Sequence, residues 1–353
     1  MAERSTTNSL QSKLHQHGLI IKVALFLLFI LLCSFDSYYS IVAIRSCVNA
    51  IAVIGLVIIS GYTRQIHLGQ MAFVGIGAYT SAILLTKLGW NFWLTIPCAM
   101  VMAGLIGVLL GIPTLRLRDG PYLALVTQIF GEVIYVLIIN LEPITGGTFG
   151  INGIPSPTLG PVNLGNPSRL LLVVAAFTML AFFIANKIVK SKYGRFFISI
   201  RESEAAAQSV GVNTMKYKIT AFTIASAFAG LAGVFYAQCF GVINATEFRW
   251  SFSLELLSMA IIGGIASLEG GVLGAISLTV LLEVLRGAFN AQLRMVAYGV
   301  LVILVLIFLP DGLISLVGKT WAEIKQMLSD RIQLFRDDRK KKRPHTRQAK
   351  SNA

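Results

Sequence analysis

With 353 residues, 55% of them hydrophobic and only 13% charged, and a mean hydropathy of +0.74, this chain lies outside the composition range of water-soluble domains. That excludes a soluble globular protein and leaves an all-α, polytopic integral membrane helical bundle. The net charge of +14 does not indicate a nucleic-acid partner, because the basic excess gathers in segments between and after the apolar runs rather than on one folded face.

In chain order, residues 1–18 are polar and read as an N-terminal segment. The apolar run from Leu19 lacks a small-residue cleavage site before Asp36, so it reads as a retained first helix. Uncharged runs follow at Ser46–Thr63, Leu68–Thr86, Leu88–Leu115, Leu170–Asn186, Ile219–Thr246 and Met295–Pro310. Most reach the length of about 20 residues that crosses a hydrocarbon core. Residues 121–141, interrupted by Glu132, and the short runs 252–268 and 270–287 bring the expectation to about ten transmembrane or re-entrant helices. The glycines of the last two runs, Gly263, Gly264, Gly270, Gly271 and Gly274, suggest broken helices lining a cavity.

Charge predicts the orientation. Residues 187–218 carry seven Lys or Arg against two Glu, and the tail 319–353 carries eleven against four acidic groups, so both segments and both termini are expected in the cytoplasm. The stretch 141–168 has no basic residue, as the translocated side requires. Trp90, Trp93 and Trp250 are placed at the outer interface and Trp321 at the inner one. The bundle is thus expected over 19–318, followed by a tail attracted to anionic membrane lipid.

Residues 187–218 are too polar to cross and too helix-prone to be a plain linker. Glu202 and Glu204 favour a helix start, Ala205, Ala206 and Ala207 are the strongest helix formers, and Gly211 is a stop; a short helix over Glu202–Val210 is predicted. A helix of two turns is unstable alone, so it needs a surface to pack on.

Residues with chemistry are sparse. His15, His17, His67 and His345 are scattered, and Cys33, Cys47, Cys98 and Cys239 lie singly in or beside apolar runs, so no metal cluster or nucleophile–base pair emerges. Gly312–Thr320 misses the phosphate-loop spacing by one residue and follows a membrane helix. No catalysis and no cofactor are expected in this chain. Candidates for a translocation path are Glu132, whose charge falls inside an apolar run, and the glycines Gly75, Gly77, Gly263 and Gly264. At each glycine, close helix packing competes with substrate contact. Glu283 and Arg286, three apart, are expected to neutralise each other.

Four ordered segments, GYTRQIHLGQMAFVGIGAYTSAIL (Gly61–Leu84), TGGTFGINGIP (Thr145–Pro155), IGGIASLEGGVLGA (Ile262–Ala275) and FLPDGLI (Phe308–Ile314), resemble the branched-chain amino acid permeases of bacterial ABC importers, LivM type. The resemblance covers nearly the whole chain. It implies a permease subunit in the bacterial inner membrane, paired with a LivH-type permease, two ATPases of LivG and LivF type that bind ATP, and a periplasmic substrate-binding protein. It also implies that the 187–218 loop contacts an ATPase: Ala205, Ala206 and Ala207 stand at the family's coupling-motif spacing before Gly211, with Glu204 one place early. Permeases for urea or short amides, and ion-driven secondary transporters, are the alternatives.

Overall fold

The computed structural model describes residues 24–114, 121–160, 162–288, 290–309 and 312–316. The polar N-terminus and the basic tail with Trp321 lie outside the described residues.

Helix α1 spans Ala24–Cys33. Asp36 then caps α2, Ser37–Leu56, by accepting a 2.9 Å hydrogen bond from Tyr38 N. The span begins at Ser37 rather than at Ser46, because the cap and not the charge of Arg45 sets its start. It continues through one π turn, Val57–Gly61. Next come α3 (Gln70–Thr86), α4 (Phe92–Thr114) and α5 (Pro121–Asn140). A connection with the short α6 (Glu142–Thr145) leads to α7 (Pro167–Lys190), then α8 (Lys192–Glu202), α9 (Glu204–Ser209) and α10 (Thr214–Phe240). The last three helices are α11 (Trp250–Gly263), α12 (Leu268–Ala288) and α13 (Ala291–Phe308).

Among the described residues, six helical spans are long and apolar enough to cross a membrane: α2 with its π turn, α4, α5, α7, α10 and α12. Shorter apolar helices occupy α1, α3, α11 and α13. The chain is a multi-pass membrane protein. Its core is built on α2 and α10: α10 packs against α2, α3 and α4, and α2 also packs against α7 and α12.

Glycine sets the tightest contacts. A Cβ on Gly77 would meet the Gly230 Cα at 2.6 Å, one on Gly233 would meet the Ala78 N at 2.6 Å, and one on Gly230 would meet the Ala99 carbonyl oxygen at 2.7 Å. The backbones of α3, α10 and α4 thus touch where a side chain would hold them apart.

The connection between α5 and α7, expected on the outer side, has regular structure. Strand β1 (Ile151–Asn152) pairs antiparallel with β4 (Val242–Ile243), and β2 (Thr158–Leu159) pairs with β3 (Val162–Asn163). Gly146, Gly150 and Gly153 have φ of 77°, 69° and 70°, which the tight path through Thr145–Pro155 requires. Trp93 Nε1 donates to the Thr158 carbonyl at 2.9 Å, tying α4 to the same connection.

Two of the short helices explain themselves by length. At 1.5 Å per residue α3 is about 25 Å long and α11 about 21 Å, less than the roughly 30 Å of a hydrocarbon core. Irregular chain makes up the difference. Segment 62–69 leads into α3 with its backbone satisfied by Ser60 Oγ to the Gln65 carbonyl (2.9 Å) and Leu68 N to Thr127 Oγ1 (3.1 Å). Because Thr127 and Gly131 lie near the middle of α5, their contacts with Gly69 and Trp250 put the starts of α3 and α11 well inside the bundle. Trp250 therefore packs at mid-helix, not at the outer interface as expected. Helix α12 corrects a second expectation. It runs unbroken through Gly270, Gly271 and Gly274; Gly270 and Gly274 bring α12 against the end of α11, and Gly271 faces Val53 and Val57 of α2 and its π turn.

Candidate coupling elbow and transmembrane path

The polar segment 187–218 forms an elbow. Its first four residues finish α7 and its last five open α10. Ser191 caps α8, its hydroxyl accepting from Tyr193 N at 3.1 Å, and Gly194 lets α8 fold back against the α7 carbonyl of Val189. Tyr193 and Phe196 pack on Tyr217 at the start of α10, with ring centroids 6.1 and 4.5 Å away.

One helix was expected from Glu202 to Val210; the structure has two. Ser203, in extended conformation, breaks them and caps α9 by accepting from Ala206 N at 3.2 Å. Glu202 is consequently the last residue of α8 rather than the first of the new helix. Gly211 ends the element with φ 83°, the left-handed conformation predicted for it. Of the three alanines, Ala207 is buried and Ala205 and Ala206 are exposed, along with Val210 at 76%. An exposed apolar edge at the basic end of the bundle is left uncovered by the described residues.

Glu204 does more than favour a helix terminus. Its Oε2 accepts from Lys218 Nζ at 2.7 Å, and the Lys218 side chain is only 5% exposed. Gln208 Nε2 adds a 3.0 Å bond to Thr214 Oγ1. Two polar links thus fasten the six-residue α9 to the first turns of α10, and so to the centre of the core. Sequence reading missed Lys218, because a lysine opening a long apolar helix looks like an ordinary interfacial residue.

Helix α5 presents three faces. Leu123, Thr127, Gly131 and Ile138 are buried, while Tyr122, Leu125, Ile129, Val133, Val136 and Leu137 form an exposed apolar stripe. Between them runs a polar flank, Gln128, Glu132 and Tyr135. Glu132 Oε1 lies 3.7 Å from Arg249 Nε, and the Arg249 guanidinium sits 5.2 Å from the centre of the Tyr135 ring. Arg249 was not singled out beforehand. Its signal was visible: it is the one basic residue between Phe240 and the end of α12's apolar run at Glu283.

The four candidate glycines are contact points between helices. Gly75 faces Phe248, Gly77 faces the Gly230 backbone, and Gly263 faces Gly270 and Gly274. Gly264 has φ 119° at the end of α11, where the turn at Gly312 packs on it. At Gly77 and Gly263 the space of the missing side chain is filled by backbone, and at Gly75 by the Phe248 side chain. The expected Glu283–Arg286 pair forms at 3.5 Å, and Tyr38 donates to the same carboxylate oxygen at 2.8 Å.

Sequence comparison assigns the chain to one family. Residues 38–309 match the branched-chain amino acid transport system / permease component family. The chain belongs to it. This permease component is 35% identical over 298 residues to the high-affinity branched-chain amino acid transport system permease protein LivM of Escherichia coli, covering 78% of this chain and 69% of that protein. It is 25% identical over 282 residues to the LivH permease protein of Salmonella typhimurium, covering 75% and 91%. It is 29% identical over 269 residues to the autoinducer 2 import system permease protein LsrC of Shigella flexneri, covering 73% and 76%. The relatives are transport permeases rather than enzymes. No solved structure matches this permease.

Proposed function

We propose that this permease forms one half of an ATP-driven import path for branched-chain or other hydrophobic amino acids in a bacterial inner membrane. The observation that carries the reading is the match over most of the chain to permeases named for that transport, LivM above all. Similarity to LivM and LivH together supports a paired assembly in which a LivH-type permease supplies the other half. LivG- and LivF-type ATPases would bind ATP on the cytoplasmic side, and a periplasmic binding protein would deliver substrate to the outer connection.

The elbow is the transmission element in this reading. Closure of the ATPases pushes on the exposed edge of α9, Ala205, Ala206 and Val210, with Glu202 and Gly211 bounding it. Glu204 and Lys218 pass the displacement into α10. Because Gly77, Gly230 and Gly233 bring the backbones of α3, α4 and α10 into direct contact, with rings such as Phe73 and Phe222 packed beside them, the push moves these helices as one body. Gly77 keeps α3 close to α10, Gly75 admits Phe248 against α3, Gly263 and Gly264 keep the end of α11 close to α12 and the Gly312 turn, and Glu132 borders the path. The orientation follows from the basic elbow. With the native cysteines removed, Ala206→Cys should resist an impermeant thiol reagent in intact cells and react in inverted vesicles. Labelling from outside would reverse the topology.

Uptake decides the substrate. Proteoliposomes holding the assembled complex and its binding protein are expected to accumulate labelled leucine, isoleucine or valine with ATP and not with an ion gradient alone. Accumulation of urea with none of the three amino acids would reject the substrate class, and gradient-driven uptake without ATP would reject the ABC assignment.

A further inference from the structure

We propose that Glu132 and Arg249 form a site that receives the zwitterionic head of the amino acid, by exchanging their mutual pairing for pairing with substrate. The inference rests on the amino-acid reading above and names the chemistry of its path. Glu132 is the twelfth residue of the twenty-residue α5, and neighbouring Gly131 touches the first residue of α11, which Arg249 immediately precedes. The pair thus sits near mid-helix, where a charge must face either a protein partner or a wet cavity.

Three features separate it from a structural bridge. First, it is open: the Arg249 and Glu132 side chains are 47% and 34% exposed. Second, it is incompletely closed, since 3.7 Å exceeds the 2.7–2.9 Å typical of a charge-assisted bond, and Glu132 Oε1, though shielded from solvent, accepts no hydrogen bond. Third, it is oriented. The Arg249 guanidinium lies over the Tyr135 ring, 5.2 Å from its centre, a contact that spends none of its N–H donors on the ring's edge and fixes the cation beside Glu132. The contrast with Lys218–Glu204, closed at 2.7 Å on a lysine 5% exposed, is within the same molecule.

An α-amino acid carries an ammonium and a carboxylate on one carbon. With the ammonium on Glu132 and the carboxylate on Arg249, one ion pair and one zwitterion become two ion pairs. No net charge is added to the site. A free carboxylic acid or an amine would bring net charge and leave one member of the pair opposed by nothing, while an uncharged amide could satisfy neither fully. Trp250 and the exposed stripe of α5 supply apolar surface beside the site for the side chain of a hydrophobic amino acid.

The test uses the complete transporter in proteoliposomes, with labelled leucine, in wild type, Glu132→Gln, Arg249→Gln, the double variant and the charge-retaining Arg249→Lys. Both single variants and the double variant should lower leucine uptake by at least about tenfold, whereas ATP hydrolysis stimulated by the leucine-loaded binding protein should fall less than about twofold. Arg249→Lys should keep most uptake. If the double variant transports like wild type while the single variants do not, the pair is a structural bridge and the proposal is overturned. Wild-type uptake by either single variant overturns it too. Should a single variant fail to assemble, the double and Arg249→Lys variants, which leave no charge unpaired, carry the test. A wild-type complex that takes up none of leucine, isoleucine and valine rejects instead the amino-acid reading on which the site depends.

Discussion

The α3–α10 interface and the α9 elbow share helix α10 and are built on opposite terms. At the interface, Gly77, Gly230 and Gly233 remove side chains so that backbones meet, and every nearby group is already occupied by this chain. At the elbow, a six-residue helix is held by two polar links while its apolar edge stays exposed. The first region is complete in the single chain and rigid. The second is incomplete and is finished only by whatever docks on it. In the mechanism proposed above, a push on the incomplete region would reach the bundle through the complete one, which resists deformation.

The sharpest way to break this contrast is to add atoms to the rigid side. Gly77→Val would drive a branched side chain into the Gly230 backbone and should destabilise the bundle by about 3 kcal/mol or more. The expected result is little folded protein in the membrane and a large drop in detergent melting temperature; near-normal melting would show that the α3–α10 contact yields. A smaller effect is expected from cutting the link between the regions. Lys218→Met leaves Glu204 without its cation; with that carboxylate 32% exposed the loss should be about 1–2 kcal/mol, and folding should survive. ATP hydrolysis stimulated by the substrate-loaded binding protein should nevertheless fall several-fold, since α9 would no longer be fastened to α10. Full coupling in Lys218→Met would remove the pair from the transmission path. The smallest effect belongs to Gly211→Ala. Nothing lies within 4 Å of its missing Cβ, so only the left-handed backbone, φ 83°, opposes the change, at about 1 kcal/mol. Melting should shift by a few degrees and coupling should persist. A collapse of coupling would mean that the C-terminal turn of α9 is itself a contact.

The readability of these regions differed for physical reasons. Spans such as α4, α7 and α10 announce themselves by long uncharged runs, and Gly211 by its place after a helix-forming triplet. The short helices did not. A run such as Leu68–Thr86 reads as one crossing from end to end, yet its first residues belong to an irregular segment anchored on Thr127, a residue of a different helix. Glycine-rich sequence at 262–275 suggested a broken helix, whereas α12 is continuous and its Gly270 and Gly274 answer to α11. In a membrane a glycine is as useful for admitting a neighbouring backbone as for breaking its own, and composition cannot distinguish the two.

The ionic contacts show the same division. Glu132 was noticed for sitting in an apolar run and Glu204 for standing at a helix start, both local properties. Their partners, Arg249 and Lys218, lie on other elements and are brought to them by folding. Hydropathy, charge asymmetry and the quoted motifs by themselves determined a polytopic helical permease with a polar elbow, because span length and solvent preference are properties of contiguous residues. Only the tertiary structure decided which glycines face which backbones, that the elbow is two helices, and which carboxylate meets which cation, because these depend on distances between residues far apart in the chain.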